Sequence, residues 1–236
     1  IRRQTKGGID NNRNKNTRLE SQRVQNYSLK GKHLLGEKVE MKWKVAYSKA
    51  LEDRPNERYI EYRQKKVEFD KDFGSTEFPL LTPTNELDYE DFSLKEITEN
   101  HNYTDEDEFT TKVDFRAPLS VIRGQKGRLR FGGSAKIKHK KRDNIFYEYE
   151  PIEDFPSLAN METVNWDGKG WFGDGRYTPG IFVDKKVLGN FDLLNPNLFE
   201  ESVVPEEFLM ANYKANENIY SGYLRWDQNI NEDLSM

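Results

Sequence analysis

Alternation of apolar and polar side chains over long stretches is the feature that most constrains how this chain folds. Between residues 39 and 48 the odd positions are apolar and the even positions are polar or small. Since successive side chains of a β-strand point to opposite faces, such a stretch forms a strand with one apolar and one polar face. The alternation returns between residues 128 and 138, where the polar positions are again largely basic. Such strands fit a soluble sandwich, and they also fit a barrel with lipid outside and water inside.

The composition excludes several classes of protein. The 236 residues have a net charge of −4, which gives no general attraction for nucleic acid, and no nucleic-acid partner is predicted. Cysteine is absent, which excludes disulfides and thiolate metal sites. Hydrophobic residues make up only 35%, yet aromatic residues reach 13%, which is high for a disordered chain. Long polar loops between aromatic-rich strands would reconcile the two values. No cofactor and no metal site are predicted.

Six strands are predicted, near residues 23–35, 39–51, 109–121, 128–149, 218–228 and 234–236. A tight turn at residues 36–38 makes the first two a hairpin. Residues 1–20 are predicted to be a loop, and two long loops are predicted near 54–108 and 151–214. In the first long loop, Ser93 and Glu96 have the spacing of a capping box, which predicts a short helix near 93–99. The acidic residues 105–108 are predicted to lie in water at the base of this long loop.

Short turns alternate with long loops along the predicted strands. Outer-membrane barrels have short turns at one end and long loops at the other, whereas a sandwich has no reason to do so. The strands also exceed the roughly 9–11 residues that cross a bilayer when tilted. The predicted fold class is therefore all-β, an antiparallel transmembrane β-barrel segment of about six strands with two long extracellular loops.

In such a barrel the two faces of each strand meet different surroundings. A basic residue facing lipid costs about 2–4 kcal/mol at mid-bilayer, so the segregation of basic residues onto one face predicts that this face lines the lumen. The predicted lipid-facing residues are Val39, Met41, Trp43, Val45, Tyr47, Leu129, Phe131 and Ile137. The predicted lumen-facing residues are Lys42, Lys44, Arg128, Arg130, Lys136 and Lys138. The polar face is thus expected to be basic.

The end of the chain resembles a known family. The residues concerned are Asn212-Tyr213, Glu217, Tyr220, Gly222-Tyr223-Leu224, Asp227-Gln228 and Leu234-Ser235. They resemble the barrel of TonB-dependent receptors, and residues 52–55, 140–144 and 192–196 resemble the versions found in Bacteroidetes. The resemblance implies active uptake across the bacterial outer membrane by a barrel of about 22 strands that holds a plug domain.

The same resemblance implies the partners. They are outer-membrane lipid and the TonB complex, which would bind through parts of the protein absent from this chain. By analogy with the family alone, a surface lipoprotein is a further candidate partner. The chain is interpreted as a piece of a longer protein that supplies about six barrel strands, with the plug domain outside it. The lumenal basic residues would either guide an anionic ligand or contact the plug and water, and the second interpretation is favoured.

Aromatic residues of the second long loop are the candidate ligand-binding residues. Trp166, Trp171 and Tyr177 could stack on a sugar or an aromatic chelator, although packing of the loop is the more ordinary explanation. Residues 168–173 match G-x-G-x-x-G, but turn residues flank them where a dinucleotide site needs a strand and a helix. No catalytic arrangement is recognisable, and the protein is predicted not to be an enzyme.

The sequence thus predicts part of an outer-membrane receptor that captures a ligand outside and imports it through a plugged barrel energised by TonB. Two other classes stay open. One is a soluble or cell-surface β-rich binding module, either carbohydrate-binding or adhesive, whose apolar strand faces would be buried against a second sheet. The other is a glycan-active enzyme domain. Burial of the apolar face of residues 39–45 under another sheet would contradict the barrel.

Overall fold

The computed structural model describes residues 2–3, 9–84, 88–166, 179–231 and 234–235. Within them, antiparallel strands dominate, which confirms the all-β prediction. The elements are β1 (Arg2–Arg3), β2 (Ile9–Thr17), β3 (Ser21–Leu35), β4 (Val39–Gln64), β5 (Phe69–Asp72), β6 (Leu80–Pro83), β7 (Ser93–Pro118), β8 (Gly127–Pro151), β9 (Thr163–Trp166), β10 (Gly180–Val183), α1 (Lys185–Asn190), β11 (Phe199–Val203) and β12 (Tyr213–Gln228). None of the helices in these ranges has the length and hydrophobicity needed to cross a membrane.

The chain divides into two compact units. Unit 1 comprises residues 1–20, 54–101 and 144–209, and unit 2 comprises residues 21–53, 102–143 and 210–236. Each unit is therefore assembled from three separate stretches of chain, and β4, β7 and β8 contribute residues to both.

Unit 2 is a sheet in the order β3-β4-β7-β8-β12. The predicted hairpin is confirmed, because a turn at residues 36–38 joins β3 to β4 and Leu35 pairs with Val39. Gly36 has φ 62°, a left-handed conformation that glycine adopts without strain. No hydrophobic side chain in the described part of unit 2 is fully buried. The sheet therefore has no core of its own.

Unit 1 contains the hydrophobic core. In it β2 pairs with the end of β4, β11 pairs with the end of β8, and β9 pairs with β10. The rings of Phe155, Phe191 and Phe199 pack together with centroids 5.9–6.2 Å apart. The buried core residues are Ile60, Tyr62, Phe92, Ile97, Tyr149, Leu158, Val183, Leu188, Leu193 and Phe199.

The strands extend further than the sequence predicted. β4 continues to Gln64 and β7 begins at Ser93, so much of the predicted 54–108 loop is strand. Residues 9–17, also predicted as loop, form β2. The predicted helix near 93–99 is wrong, since these residues start β7. There, Ile97 and Thr98 are buried, and β-branched side chains favour a strand.

The second predicted loop, 151–214, also contains regular structure. β9, β10, α1 and β11 lie within it, and a short 3-10 turn at Leu158–Asn160 buries Leu158 in the core of unit 1. The predicted strand 234–236 is not found in the described residues. Ser235 instead forms an isolated bridge with Asn229, and Met236 lies outside the described residues.

Burial of Tyr62 leads to a testable pH dependence. The side chain is fully buried, its hydroxyl donates to Pro156 O at 3.0 Å, and burial raises the pKa of this phenol. Because the folded pKa lies above the unfolded pKa of about 10, the folded state keeps a proton that the unfolded state loses. The contribution of Tyr62 to the free energy of unfolding is therefore fully present below about pH 10 and is lost as the pH rises above that value.

Replacing Tyr62 with phenylalanine tests this dependence. We expect Tyr62→Phe to lose the hydrogen bond to Pro156, at a cost of about 1 kcal/mol near neutral pH, and to flatten the decline above pH 10. Urea unfolding at a series of pH values measures both effects. Equal alkaline slopes for the two proteins would contradict the expectation.

Candidate functional site

One face of the unit 2 sheet is apolar over similar lengths of all five strands, and we call it the apolar belt. On β4 it runs from Val39 to Tyr47 and on β3 from Tyr27 to Leu35, with these nine-residue stretches paired throughout. The rings of Phe115 on β7 and Phe131 on β8 stack with centroids 5.0 Å apart, which continues the face across the sheet. Its members are Tyr27, Leu29, Gly31, His33, Leu35, Val39, Met41, Trp43, Val45, Tyr47, Phe109, Thr111, Val113, Phe115, Ala117, Leu129, Phe131, Gly133, Ala135, Ile137, Tyr220, Gly222, Leu224 and Trp226.

All of the residues predicted to face lipid belong to the apolar belt. Much of the belt is exposed within the described chain, for example Leu29 at 66% and Leu224 at 74%. An exposed apolar surface of this extent is unusual for a soluble monomer and marks a surface that is normally covered.

Polar pairs limit the belt at one end. Lys49 Nζ lies 3.4 Å from Asp105 Oδ2, and His139 Nδ1 lies 3.1 Å from Asp107 Oδ2. Both pairs occupy the same face as the belt but lie beyond Tyr47 along the strands, on the side away from the 36–38 turn. The apolar surface therefore has a defined end.

Ring nitrogens of two tryptophans and a histidine inside the belt have hydrogen-bond partners. Trp43 Nε1 donates to His33 Nε2 at 2.9 Å, and the two rings are stacked. The indole lies over Gly31, where the Cβ of any other residue would collide with it. Trp226 Nε1 donates to Leu119 O at 3.2 Å. The belt therefore carries its histidine and tryptophans without leaving these ring nitrogens unsatisfied.

The opposite face of the same sheet, which we call the charged face, carries the predicted lumen-facing residues. On β7, β8 and β12 most of its cations are paired with carboxylates. Lys138 Nζ lies 2.7 Å from Glu106 Oε1, and Lys136 Nζ lies 3.2 Å from Glu108 Oε2. These ion pairs offset part of the positive charge on this part of the face.

The acidic residues 105–108 supply two of these carboxylates, Glu106 and Glu108. They are part of β7 and not a loop base. Because they alternate between faces, Glu106 and Glu108 pair with lysines on the charged face, and Asp105 and Asp107 pair with Lys49 and His139 on the other. An acidic run that reads as solvated loop is thus a strand with partners on both sides.

On β3 and β4 the charged face is different, because lysines face lysines. Lys30 pairs directly with Lys44, and Lys32 pairs with Lys42. Lys32 Nζ lies 3.7 Å from Glu40 Oε2. Among the described residues, Lys30, Lys42 and Lys44 form no ion pair within 4 Å. The cations on these two strands therefore greatly outnumber their carboxylate partners.

Unit 1 contains a cluster that sequence reasoning missed, centred on Arg58 of β4. Its Nη1 donates to the carbonyl oxygens of Leu188, Gly189 and Phe191 at 3.3, 2.9 and 2.9 Å, at the C-terminal end of α1. Its Nε pairs with Glu99, which His101 Nε2 approaches to 2.7 Å. A cation satisfies the free carbonyls at a helix C-terminus. The cluster is therefore a structural anchor.

Unit 1 also has an open groove of about 510 Å³. Four glutamates contribute to its lining, Glu61, Glu96, Glu148 and Glu207. Lys95 Nζ lies 3.4 Å from Glu61 and 2.6 Å from Glu96, which neutralises part of this charge. No group of three or more histidine or acidic residues able to hold a metal ion occurs in the described ranges.

Of the three aromatic residues predicted to bind ligand, the structure describes Trp166. It is the last residue of β9, pairs with Gly180 and is 41% exposed. Trp171, Tyr177 and the 168–173 glycine motif lie outside the described residues. The predicted aromatic site is therefore not assembled by the described part of the chain.

Comparison with known proteins gives no assignment. No family model, no curated protein and no solved structure matches this chain. A function has to be inferred from the apolar belt, the charged face and unit 1.

Proposed function

We propose that this chain is part of the β-barrel of a TonB-dependent receptor in the bacterial outer membrane. In this proposal the receptor captures a ligand outside the cell and imports it through a plugged barrel energised by TonB. It is a transporter and not an enzyme. The observation that carries the proposal is the apolar belt, which lies on a sheet with no core of its own.

The length of the belt supports a membrane assignment. On β3 and β4 it covers nine residues per strand, against the roughly 9–11 residues that a tilted strand needs to cross the hydrocarbon layer. At about 3.4 Å per residue these stretches are about 27 Å long. At a tilt of about 40° they span a height of about 21 Å, somewhat less than the apolar band of about 25 Å in outer-membrane barrels, and the polar pairs beyond Tyr47 would lie at its boundary.

The distribution of connections also supports it. The short turns at residues 36–38 and 119–126 belong to unit 2, whereas the long segments 54–101 and 144–209 belong to unit 1. In the proposal unit 2 crosses the membrane and unit 1 supplies extracellular structure. Trp166, Trp171 and Tyr177, all within the segment 144–209, are the proposed ligand-binding residues.

The two faces of unit 2 receive separate roles in this proposal. The apolar belt contacts lipid acyl chains, and the charged face lines a lumen that holds water and the plug. The TonB complex binds through parts of the protein outside this sequence, and a surface lipoprotein is a candidate partner on the outside. In the alternative class, a binding module, a second sheet would cover the apolar belt in place of lipid.

Tryptophan fluorescence separates lipid from protein as the cover of the belt. We compare two proteins in phosphatidylcholine vesicles with and without dibrominated acyl chains. One retains Trp43 and carries Trp166→Phe, Trp171→Phe and Trp226→Phe. We expect bromine to quench it strongly, because quenching requires contact between the indole and the acyl chains.

The matched control retains Trp166 of unit 1 and has the other tryptophans replaced by phenylalanine. We expect its fluorescence to be the same in both kinds of vesicle. Trp43 fluorescence that does not respond to bromine would contradict the proposal, as would a native chain that is monomeric and folds cooperatively without detergent or lipid. Either result would favour the binding module.

A further inference from the structure

The charged face contains two neighbouring cross-strand pairs that are both lysine–lysine, Lys30–Lys44 and Lys32–Lys42. Like charges directly opposite each other destabilise an antiparallel pair. On β8 and β12 of the same face, Lys138 lies opposite Glu217 and Arg128 lies opposite Asp227. Arg130 lies opposite Arg225 there, but both arginines have Asp227 as an ion-pair partner, at 3.3 and 2.7 Å. Of the four paired lysines of β3 and β4, only Lys32 has a carboxylate within 4 Å among the described residues.

Lys112 of β7 joins this group. Together the five lysines line most of a shallow depression of about 520 Å³. Two nearby carboxylates are already engaged. Glu40 lies 3.7 Å from Lys32 and 4.0 Å from Arg116, and Asp114 lies 3.3 Å from Lys112 and accepts a hydrogen bond from Tyr223. The depression therefore keeps a large excess of positive charge.

We infer that this depression binds a small water-soluble ligand carrying two or more phosphate or carboxylate groups. Residues directly opposite each other have Cβ atoms about 5 Å apart, and residues two apart on a strand are about 7 Å apart. The four paired lysines thus form a nearly rectangular array of ammonium groups. Such an array matches several anionic groups held at these spacings better than a single anion.

Size and position narrow the class of ligand further. A depression of about 520 Å³ falls in the range of sites for small molecules, not of extended protein interfaces. The lysines also lie on the face opposite to the apolar belt, which separates them from any lipid surface that the belt contacts. The inference concerns the charged face alone and holds whether the belt is covered by lipid or by another sheet.

Pyrophosphate is a suitable probe, and isothermal titration calorimetry of the purified full chain measures its affinity. We expect saturable binding that is tighter than that of inorganic phosphate. In the double variant Lys30→Gln/Lys44→Gln we expect the affinity to decrease by at least about tenfold, because two of the four paired charges are removed. The control is Lys138→Gln on the same face, for which we expect an affinity within about twofold of the original.

Thermal unfolding without ligand shows that the double variant is folded. We expect Lys30→Gln/Lys44→Gln to raise the melting temperature, because it relieves lysine–lysine repulsion, and Lys138→Gln to lower it slightly, because it breaks an ion pair. Loss of binding in a more stable protein cannot result from misfolding. The inference would be overturned by the absence of saturable pyrophosphate binding, by unchanged affinity in the double variant, or by an equal loss in Lys138→Gln.

Discussion

Replacing Arg58 with alanine is expected to lower the free energy of unfolding of unit 1 by about 3–5 kcal/mol, since removing one member of a buried ion pair leaves the other charge uncompensated. The side chains of Arg58 and Glu99 are 14% and 6% exposed. The substitution also removes the donor to the carbonyls of Leu188, Gly189 and Phe191. Urea unfolding followed by circular dichroism measures the change.

Two further variants make the test specific. Arg58→Lys keeps the charge but loses the planar fork, so we expect a stability between those of the original protein and Arg58→Ala. Arg18→Ala is the matched control, because Arg18 is 49% exposed and the buried Glu57, 3.5 Å from it, keeps Arg54 as a second partner at 3.8 Å. Ion pairs of an exposed arginine contribute only about 0–1 kcal/mol. Equal losses for Arg58→Ala and Arg18→Ala would show that the carbonyl contacts contribute little.

An arginine in the middle of the apolar belt is expected to be costly in a membrane. For Val113→Arg we expect a loss of about 2–4 kcal/mol in the free energy of unfolding from lipid vesicles, the cost of arginine at the bilayer midplane of a barrel. Val113 lies midway between Phe109 and Ala117 on β7. Denaturant titration in vesicles, followed by tryptophan fluorescence, measures the change.

The same substitution at the end of the belt is the control. Val39 is the first residue of β4, next to the 36–38 turn, and arginine near the membrane interface costs only about 0–1 kcal/mol. We therefore expect Val39→Arg to be nearly neutral. Similar losses at Val39 and Val113 would indicate a belt buried uniformly under protein, and two negligible losses would indicate a belt that faces water.

Prediction from sequence succeeded where side-chain alternation and a glycine turn acted together. The turn at Gly36 and the apolar positions from Val39 to Tyr47 are sufficient to set the pairing of β3 with β4. Prediction failed for the polar parts of β4 and β7, including Arg58 and Glu99. In these stretches apolar residues such as Ile60 and Ile97 are few and charged residues are many, so the stretches resemble loops in a hydropathy pattern.

The charged face and the Arg58 cluster also differ in how far they can be predicted from sequence. Once the hairpin register is known, the pairing of Lys30 with Lys44 follows from counting back from the turn, so this part of the charged face was accessible from sequence. The Arg58 cluster was not, because Arg58 and Leu188 are 130 residues apart and no spacing rule relates them. The position of Glu106 beside Lys138 also depends on pairing between β7 and β8 that sequence alone does not fix.

The core of unit 1 imposes an order on biosynthesis. It joins Ile60 to Phe199, so it cannot close until residues on both sides of a 139-residue interval have been made. At about 5–20 residues per second, that interval takes roughly 7–28 s. Contacts so distant in sequence also fold slowly. Throughout that time the aromatic side chains of the nascent chain are not yet buried, which favours aggregation. We therefore expect the folding yield to depend on a holding chaperone.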